Sequence, residues 1–407
     1  MNHIVIVDPF STGKLYAPLL NARGLNCIAI ISRPDLPAHF TQDLVAEHFT
    51  QVLDWRPELV ETLDALGVVA VIAGCETAIH LTDHLTEALG VRGNSPATSD
   101  QRRNKYSMQQ ALDRRELAHI DSHLVTHPDQ IAGVLKTIAP DQQSVVKPLN
   151  SAATQGVVFA TGRAAVEQAL LNAGWDQRND LGEVNLGFVV QPFISGPEYV
   201  VDPVAFNGTY HVATVCRYTK ILRNGSPFVY DSLDTLDPND TDLQPLLDYA
   251  RQAAAALNVL HGPLHMEIIW SPQGPVMIEA GARLHGGIAP RLFQQVYQPD
   301  LLSVAIDSYL GRPAPAGSGC SRQLRHGRIG FFWADRSSTF EGPGFEPMVE
   351  AGKVPGYGGH RYFVATGAHV PTTIDFATCP GLFWLSHDDA RQLDHSAEQI
   401  RALLWSQ

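Results

Sequence analysis

No run of apolar residues in this chain approaches the roughly 18 needed to cross a bilayer, so no membrane partner is expected. The N-terminus, Met-Asn-His-Ile-Val-Ile-Val-Asp, lacks a basic segment followed by an apolar core and a small-residue cleavage site. It reads as a first strand, not as a signal peptide. Basic charge is scarce. Lys+Arg number 29 against Asp+Glu 42, a formal net charge of −13, which leaves no basic face for nucleic acid. The five cysteines, Cys27, Cys75, Cys216, Cys320 and Cys379, are scattered, odd in number and free of any CxxC. That argues against a disulfide framework or a zinc cage and points to a reducing, cytoplasmic setting. The 17 histidines include no HExxH, and most read as surface or satisfied core residues. GxGxxG is missing after Ile4–Val7, which argues against a dehydrogenase. Ser11-Thr-Gly-Lys14 lacks the first glycine and the Ser/Thr after lysine of a Walker A loop, so it reads as a tight βα turn. There is no internal repeat and no low-complexity tract.

At 407 residues, with 44% hydrophobic and 17% charged residues, the chain suits a soluble globular enzyme of two or three domains. The first part alternates strand and helix: Ile4–Val7, Lys14–Arg23, Cys27–Ser32, Pro57–Leu66, Val68–Ala73, Thr82–Leu89. Such alternation predicts a parallel, Rossmann-like sheet. A polar helix capped by Thr98 or Ser99 runs to about Leu112. The pattern then changes to a small α+β unit, with strands at Ser144–Lys147, Val157–Ala160 and Phe188–Pro192 and a helix at Ala164–Asn172. Longer strands follow at Glu198–Phe206 and Tyr210–Tyr218, then an acidic helix at about Asp242–Leu257. The linker Gly311-Arg-Pro-Ala-Pro-Ala-Gly-Ser-Gly leads to a C-terminal lobe. The expected class is α/β and α+β multidomain: a Rossmann-like unit at 1–108, a small central lid at 109–195 and a large antiparallel-sheet domain at 196–407.

The most informative stretch is His265-Met-Glu267-Ile-Ile-Trp-Ser-Pro-Gln-Gly274-Pro-Val-Met-Ile-Glu279-Ala-Gly-Ala-Arg283. Apolar β-formers flank a Ser-Pro-Gln-Gly-Pro turn, which reads as a hairpin. If it is symmetric about Gln273, Glu267 and Glu279 face each other on one side. Opposed like charges are destabilising unless a cation lies between them. Mg²⁺ suits that place, since it takes one or two carboxylates and fills the rest with water and phosphate. Arg283, on the same face by parity, is suited to grip a carboxylate or phosphoryl group in a fork. The plainer alternative is a half-buried hairpin with its polar edge in water.

Other features lie in a telling order. Val145-Val-Lys147-Pro ends a strand with lysine, and the small-residue loop Asn150-Ser-Ala-Ala-Thr-Gln-Gly156 follows, able to bring backbone N–H groups to phosphate oxygens. Gln191-Pro-Phe193-Ile194-Ser-Gly196-Pro-Glu198 links the small unit to the large one. With Lys105, His265-x-Glu267, and Glu279-Ala-Gly-Ala-Arg283 before Gly286-Gly287, this set resembles the ATP-grasp superfamily of carboxylate–amine ligases over about residues 1–310. The form Glu-Ala-Gly-Ala-Arg-Leu-His-Gly-Gly looks most like the L-amino-acid ligases, dipeptide synthetases of the bacilysin-pathway type.

The resemblance implies a site. ATP lies between the small and large units, with Lys105 and Lys147 on phosphate and Ser151, Thr154 and Gly156 in the closing loop. Gln191, Phe193 and Ile194 mark the adenine edge, Glu198 the ribose, and His265 the nucleotide side of the hairpin. Glu267 and Glu279 hold Mg²⁺ or Mn²⁺. Glu76, Arg283, His285 and Gly286 meet the amino-acid substrates, with Glu76 pairing an α-ammonium. Lys220 faces the γ-phosphate, or is a solvated hairpin lysine. Glu76 is otherwise an acid favoured by a helix N-terminus, and His285 either assists amine deprotonation or forms a wall. The implied reaction joins two amino acids through an acyl phosphate with release of ADP, in a homodimer. A purine-pathway or D-alanine-ligase-like enzyme and a non-catalytic ATP-binding protein are the rival readings. Two departures from the family pattern stand out: Gly281 occupies a position that is often Asn, and Gly156 is the only glycine of its loop.

Overall fold

The computed structural model describes residues 2–151, 154–317 and 319–405, and leaves the side chains of His39 and Phe40 undescribed. Ala152 and Ala153 of the expected phosphate loop, and Ser318 of the linker, lie outside the described residues.

The first apolar runs pair as expected. β1 (His3–Val7), β2 (Asn26–Ile31), β3 (Gln51–Asp54) and β4 (Val68–Ala73) form a parallel sheet in the order β3-β2-β1-β4. Its central strands, β1 and β2, are buried on both faces, as crossover helices require. β3 was not expected, because only Leu53 of its four residues turns inward. Ser11–Leu15 forms a 3₁₀ turn, which bears out the reading of that segment as a βα connection.

The predicted helix from Thr98 or Ser99 is instead two pieces, a 3₁₀ segment Pro96–Arg102 and a helix Lys105–Asp113. Asn104 is the cap, its side chain accepting from the N–H groups of Tyr106 (3.0 Å) and Ser107 (3.1 Å). The break has a cause. Arg102 is fully buried and donates to Asp83 (2.8 Å), Ser95 O (2.8 Å), Leu257 O (3.0 Å) and Asn258 O (3.1 Å). That anchor ties the first sheet's flank to the large domain. The helix that follows crosses the 108/109 boundary of the sequence reading. Met108, Ala111 and Leu112 pack with Tyr199, Val201 and Met266 of the large domain.

The small unit is a four-stranded antiparallel sheet, β5 (His123–Val125), β6 (Gln143–Pro148), β7 (Val158–Thr161) and β8 (Phe188–Pro192), in the order β5-β8-β6-β7. The large domain is a nine-stranded sheet containing β9 (Glu198–Phe206), β10 (Thr209–Arg223), β11 (Ser226–Leu236), β12 (His261–Pro263), β13 (His265–Ser271) and β14 (Gly274–Gly281). The C-terminal lobe continues this sheet: His326–Phe331 pairs with β11, Gly381–His387 with His326–Phe331, and Tyr357–Tyr362 with Gly381–His387. Phe159 of β7 stacks on Phe228 of β11 with ring centroids 4.1 Å apart, so the small unit touches the large one above the cleft. Among the described residues no helix is long and apolar enough to cross a membrane.

Arg102→Ala is expected to strand the buried Asp83 carboxylate and to cost roughly 3–5 kcal/mol of folding stability. Urea denaturation measures it. A loss under about 1 kcal/mol, the range of exposed pairs, would show that the anchor is dispensable.

Candidate active site

Glu267 of β13 and Glu279 of β14 are direct cross-strand partners. The hairpin reaches this pairing by a different route from the symmetric one. Ser271 pairs with Gly274 and Ile268 with Met277, and a bulge between Glu267 and Ile268 then restores the opposition. Three cationic side chains converge on the pair. Lys105 Nζ lies 3.1 Å from Glu279 Oε2 and donates to the Ser151 carbonyl at 2.7 Å. Lys147, at the end of β6 and paired with Val189, is buried. Burial pulls its ammonium down to about 8, against the pull of Glu279. Arg283 feels both glutamates. Burial opposes the charge of Glu267, but His265, Lys220 and Arg283 outweigh it and bring the carboxyl down to about 2. Two opposed carboxylates beside two lysines fit a hard divalent cation shared with a polyphosphate. Mg²⁺ or Mn²⁺ is the group this donor set suits.

Glu76 sits just past β4, at the carboxyl edge of the parallel sheet, and it reaches into the same region. Arg283 Nε donates to Glu76 Oε2 at 2.7 Å, and Arg283 Nη1 to the Leu284 carbonyl at 2.9 Å. Arg103 stands 3.8 Å from the other Glu76 oxygen. Burial disfavours the Glu76 charge, and the two arginines overcome it and hold the carboxyl below its ordinary range. Gly281 explains itself here. A Cβ at that position would lie 2.9 Å from Glu76 Oε2 and 3.4 Å from Arg283 Nε. The missing asparagine is the space the acid–base pair occupies. Gly286, by contrast, opens on free space, with nothing within 4 Å of where its Cβ would be.

The nucleotide-side residues are placed less uniformly. Gln191 is buried, and its Nε2 donates one hydrogen to Ser122 Oγ at 2.7 Å. Phe193 spends its N–H on the Gln143 carbonyl at 2.9 Å, and its ring meets Phe159 edge-on at 5.9 Å. Among the described residues the Ile194 backbone makes no hydrogen bond. It lies just past the end of β8 at Pro192. Glu198 and Lys220 form an ion pair at 2.6 Å. The solvated-lysine alternative therefore does not hold: Lys220 also lies over the Tyr230 ring, 4.5 Å from its centroid. Burial raises the Glu198 carboxyl, with Lys220 opposing. Thr154 and Gly156 both have positive φ, 61° and 71°. Their neighbour Gln155 exchanges two hydrogen bonds with Asp180, at 2.7 and 2.6 Å.

Two residues went unassigned in the sequence reading. Arg103 is buried and links Glu76, Glu183 (3.0 Å) and the Asn150 carbonyl (3.3 Å), so it joins the Glu76–Arg283 pair to the loop. A cluster of Arg102, Arg103 and Lys105 in so acidic a chain was the available signal. Asp202 is the other. It shares strand parity with Glu198, and its oxygens take the Nδ1 atoms of His265 (2.9 Å) and His285 (3.0 Å). Burial disfavours charge on both rings. The Asp202 and Glu267 carboxylates nonetheless push His265 up to about 9, whereas His285 stays below its ordinary value.

Comparison with known proteins identifies the family and the fold. Residues 141–290 match the model of the ATP-grasp domain. Dapdiamide A synthase from Enterobacter agglomerans is 30% identical over 98% of this chain and 95% of its own length. Among solved structures, L-amino acid ligase from Bacillus licheniformis superposes with a TM-score of 0.75 at 19% identity, covering 99% of this chain and 98% of that one. N5-carboxyaminoimidazole ribonucleotide synthetase from Thermotoga maritima gives 0.69 at 14%, covering 99% of each chain. These two likenesses establish the fold. With its parallel first sheet, small antiparallel unit and large antiparallel sheet, the chain has the ATP-grasp fold and belongs to the ATP-grasp carboxylate–amine ligases.

Proposed function

We propose that the protein is an ATP-dependent, ADP-forming ligase that joins two L-amino acids into a dipeptide through an acyl phosphate. The observation that carries this reading is the Glu76–Arg283 pair, at 2.7 Å, next to the opposed Glu267 and Glu279. An acid and a base side by side match the α-ammonium and α-carboxylate of a zwitterion. A likeness to a dapdiamide A synthase and to an L-amino acid ligase fold supports the same class of substrate.

In this reading the first substrate's carboxylate attacks the γ-phosphate of ATP. Lys105 and Lys147 hold the phosphates, and Glu267 and Glu279 would hold Mg²⁺ or Mn²⁺, which would supply neutralisation of the charge that develops in transfer. Lys220, paired with Glu198 at 2.6 Å, is the lysine proposed to face the γ-phosphate. Arg283 grips the carboxylate and then stabilises the tetrahedral oxyanion, a contribution of about 10²–10³ in rate for a donor of this kind. The small unit, with Ser151, Thr154 and Gly156 at its loop, covers the site and keeps water from the intermediate.

Incubation with ATP, Mg²⁺ and pairs of amino acids is expected to yield ADP and dipeptide in equal amounts by mass spectrometry. AMP and pyrophosphate would reject this chemistry. Gly281→Ala is expected to push Glu76 off Arg283. The Michaelis constant for an amino acid should rise about tenfold, equivalent to roughly 1.4 kcal/mol, while that for ATP stays unchanged. Equal effects on both substrates would separate Glu76 from amino-acid binding. Glu279→Gln is expected to lower turnover by at least about 10², with the thermal midpoint within a few degrees of the parent. Near-normal turnover would remove Glu279 from the chemistry.

A further inference from the structure

Asp202 lies on β9, buried, with both carboxylate oxygens engaged. Oδ1 receives His265 Nδ1 and Oδ2 receives His285 Nδ1, and the Thr214 hydroxyl donates to Oδ2 as well. The two rings stand 4.3 Å apart. One ligand atom from each of these three residues lies within 4.8 Å of the others, a spacing that a metal site would also show. The hydrogen bonds argue otherwise. An ionised carboxylate only accepts, so each Nδ1 facing it carries a hydrogen and has no lone pair for a cation.

That arrangement holds a hydrogen on Nδ1 of each ring, and in the neutral His285 it fixes the tautomer. The two far nitrogens meet different surroundings. His265 Nε2 faces Glu267 Oε1 at 3.8 Å. His285 Nε2 makes no hydrogen bond among the described residues, and it is not one of the buried polar atoms sealed off without a partner. The ring is braced by Phe293 at 5.2 Å and is only 5% exposed. It is followed by Gly286, beside open space, and lies within electrostatic reach of Arg283.

We propose that Asp202 is a positioning residue that holds hydrogen on His285 Nδ1 and so leaves the Nε2 lone pair free to take a proton from the attacking amino acid. The inference rests on the ligase reading above and assigns a role that the reading leaves open. An α-amino group is largely protonated at neutral pH, and an ammonium has no lone pair with which to attack. His285 Nε2 takes one proton of the ammonium. The freed nitrogen pair forms the C–N bond to the acyl carbon. The bond from that carbon to the phosphate oxygen breaks, its electron pair leaving with phosphate, and the nitrogen's second proton departs with the phosphate. The imidazolium, stabilised by Asp202, then loses its proton to solvent. Asp202 itself stays ionised throughout.

Asp202→Ala tests this, because without the carboxylate nothing holds hydrogen on His285 Nδ1, and the ring is free to carry it on Nε2 and lose the base. His285→Gln removes it directly. The readout is a comparison of two nucleophiles in the same enzyme. An amino acid must be deprotonated, whereas hydroxylamine is already neutral at neutral pH and traps the acyl phosphate as hydroxamate. Both variants are expected to lose on the order of 10²-fold in dipeptide formation while hydroxamate formation stays within about threefold of the parent. Because hydroxamate formation needs a folded, ATP-competent site, it also reports on folding. A parallel fall in both products would reduce Asp202 to a structural role and overturn the proposal, as would no fall in either. If the parent enzyme makes ADP but no hydroxamate with any amino acid, the ligase reading itself fails, and this inference with it.

Discussion

Two glutamates face each other across one hairpin, and the rest of the site is arranged around that repulsion. Opposed carboxylates are costly on a sheet, and Glu267 and Glu279 persist because the fold delivers cations to them from three separate segments. Lys105 comes from the helix after the first domain, Lys147 from the small sheet, and Arg283 from the end of the hairpin itself. In the structure described here Lys105 stands 3.1 Å from Glu279. A divalent ion carrying polyphosphate would draw the same lysines toward the phosphate oxygens.

The domain arrangement follows from the same requirement. The carboxyl edge of a parallel sheet is where ligands gather in α/β folds, and Glu76 lies on that edge. Arg102, sealed between the first sheet's flank and the large domain, fixes the angle at which Glu76 meets Arg283. Arg103, next in sequence, links Glu76 to the loop carbonyl of Asn150 and to Glu183. Neighbouring arginines thus serve as scaffold and as site. Gly281 completes the arrangement by leaving room for an acid–base pair where a side chain would collide.

Much of this was legible in the chain before folding, and the physical reasons differ by element. The hairpin could be read because carboxylate spacing and turn chemistry agree. The first sheet could be read because strands buried on both faces are apolar throughout. β11 could not, since Ser226–Leu236 is interrupted by Pro227 and by polar residues that turn to partly exposed positions. The Lys105 helix was started too early because Thr98 and Ser99 are plausible caps, and nothing local reveals that Arg102 is pinned to carbonyls 155 and 156 residues away. Asp202 was visible by parity with Glu198, but its meaning depends on His265 and His285 arriving from elsewhere, and pairings at that distance are invisible to pattern. The Gln191 amide also has a partner that no local pattern reveals, Ser122, 69 residues away.

The central claim is that Glu267 and Glu279 together hold a divalent ion in company with nucleotide. Electron paramagnetic resonance of Mn²⁺, titrated into the protein with a non-hydrolysable ATP analogue, tests it directly. The account expects one or more tightly held ions in the parent protein. Glu267→Gln and Glu279→Gln should each weaken them by at least about tenfold, with metal-free analogue binding undiminished because a negative charge has been removed. Unchanged Mn²⁺ binding in both variants would contradict it.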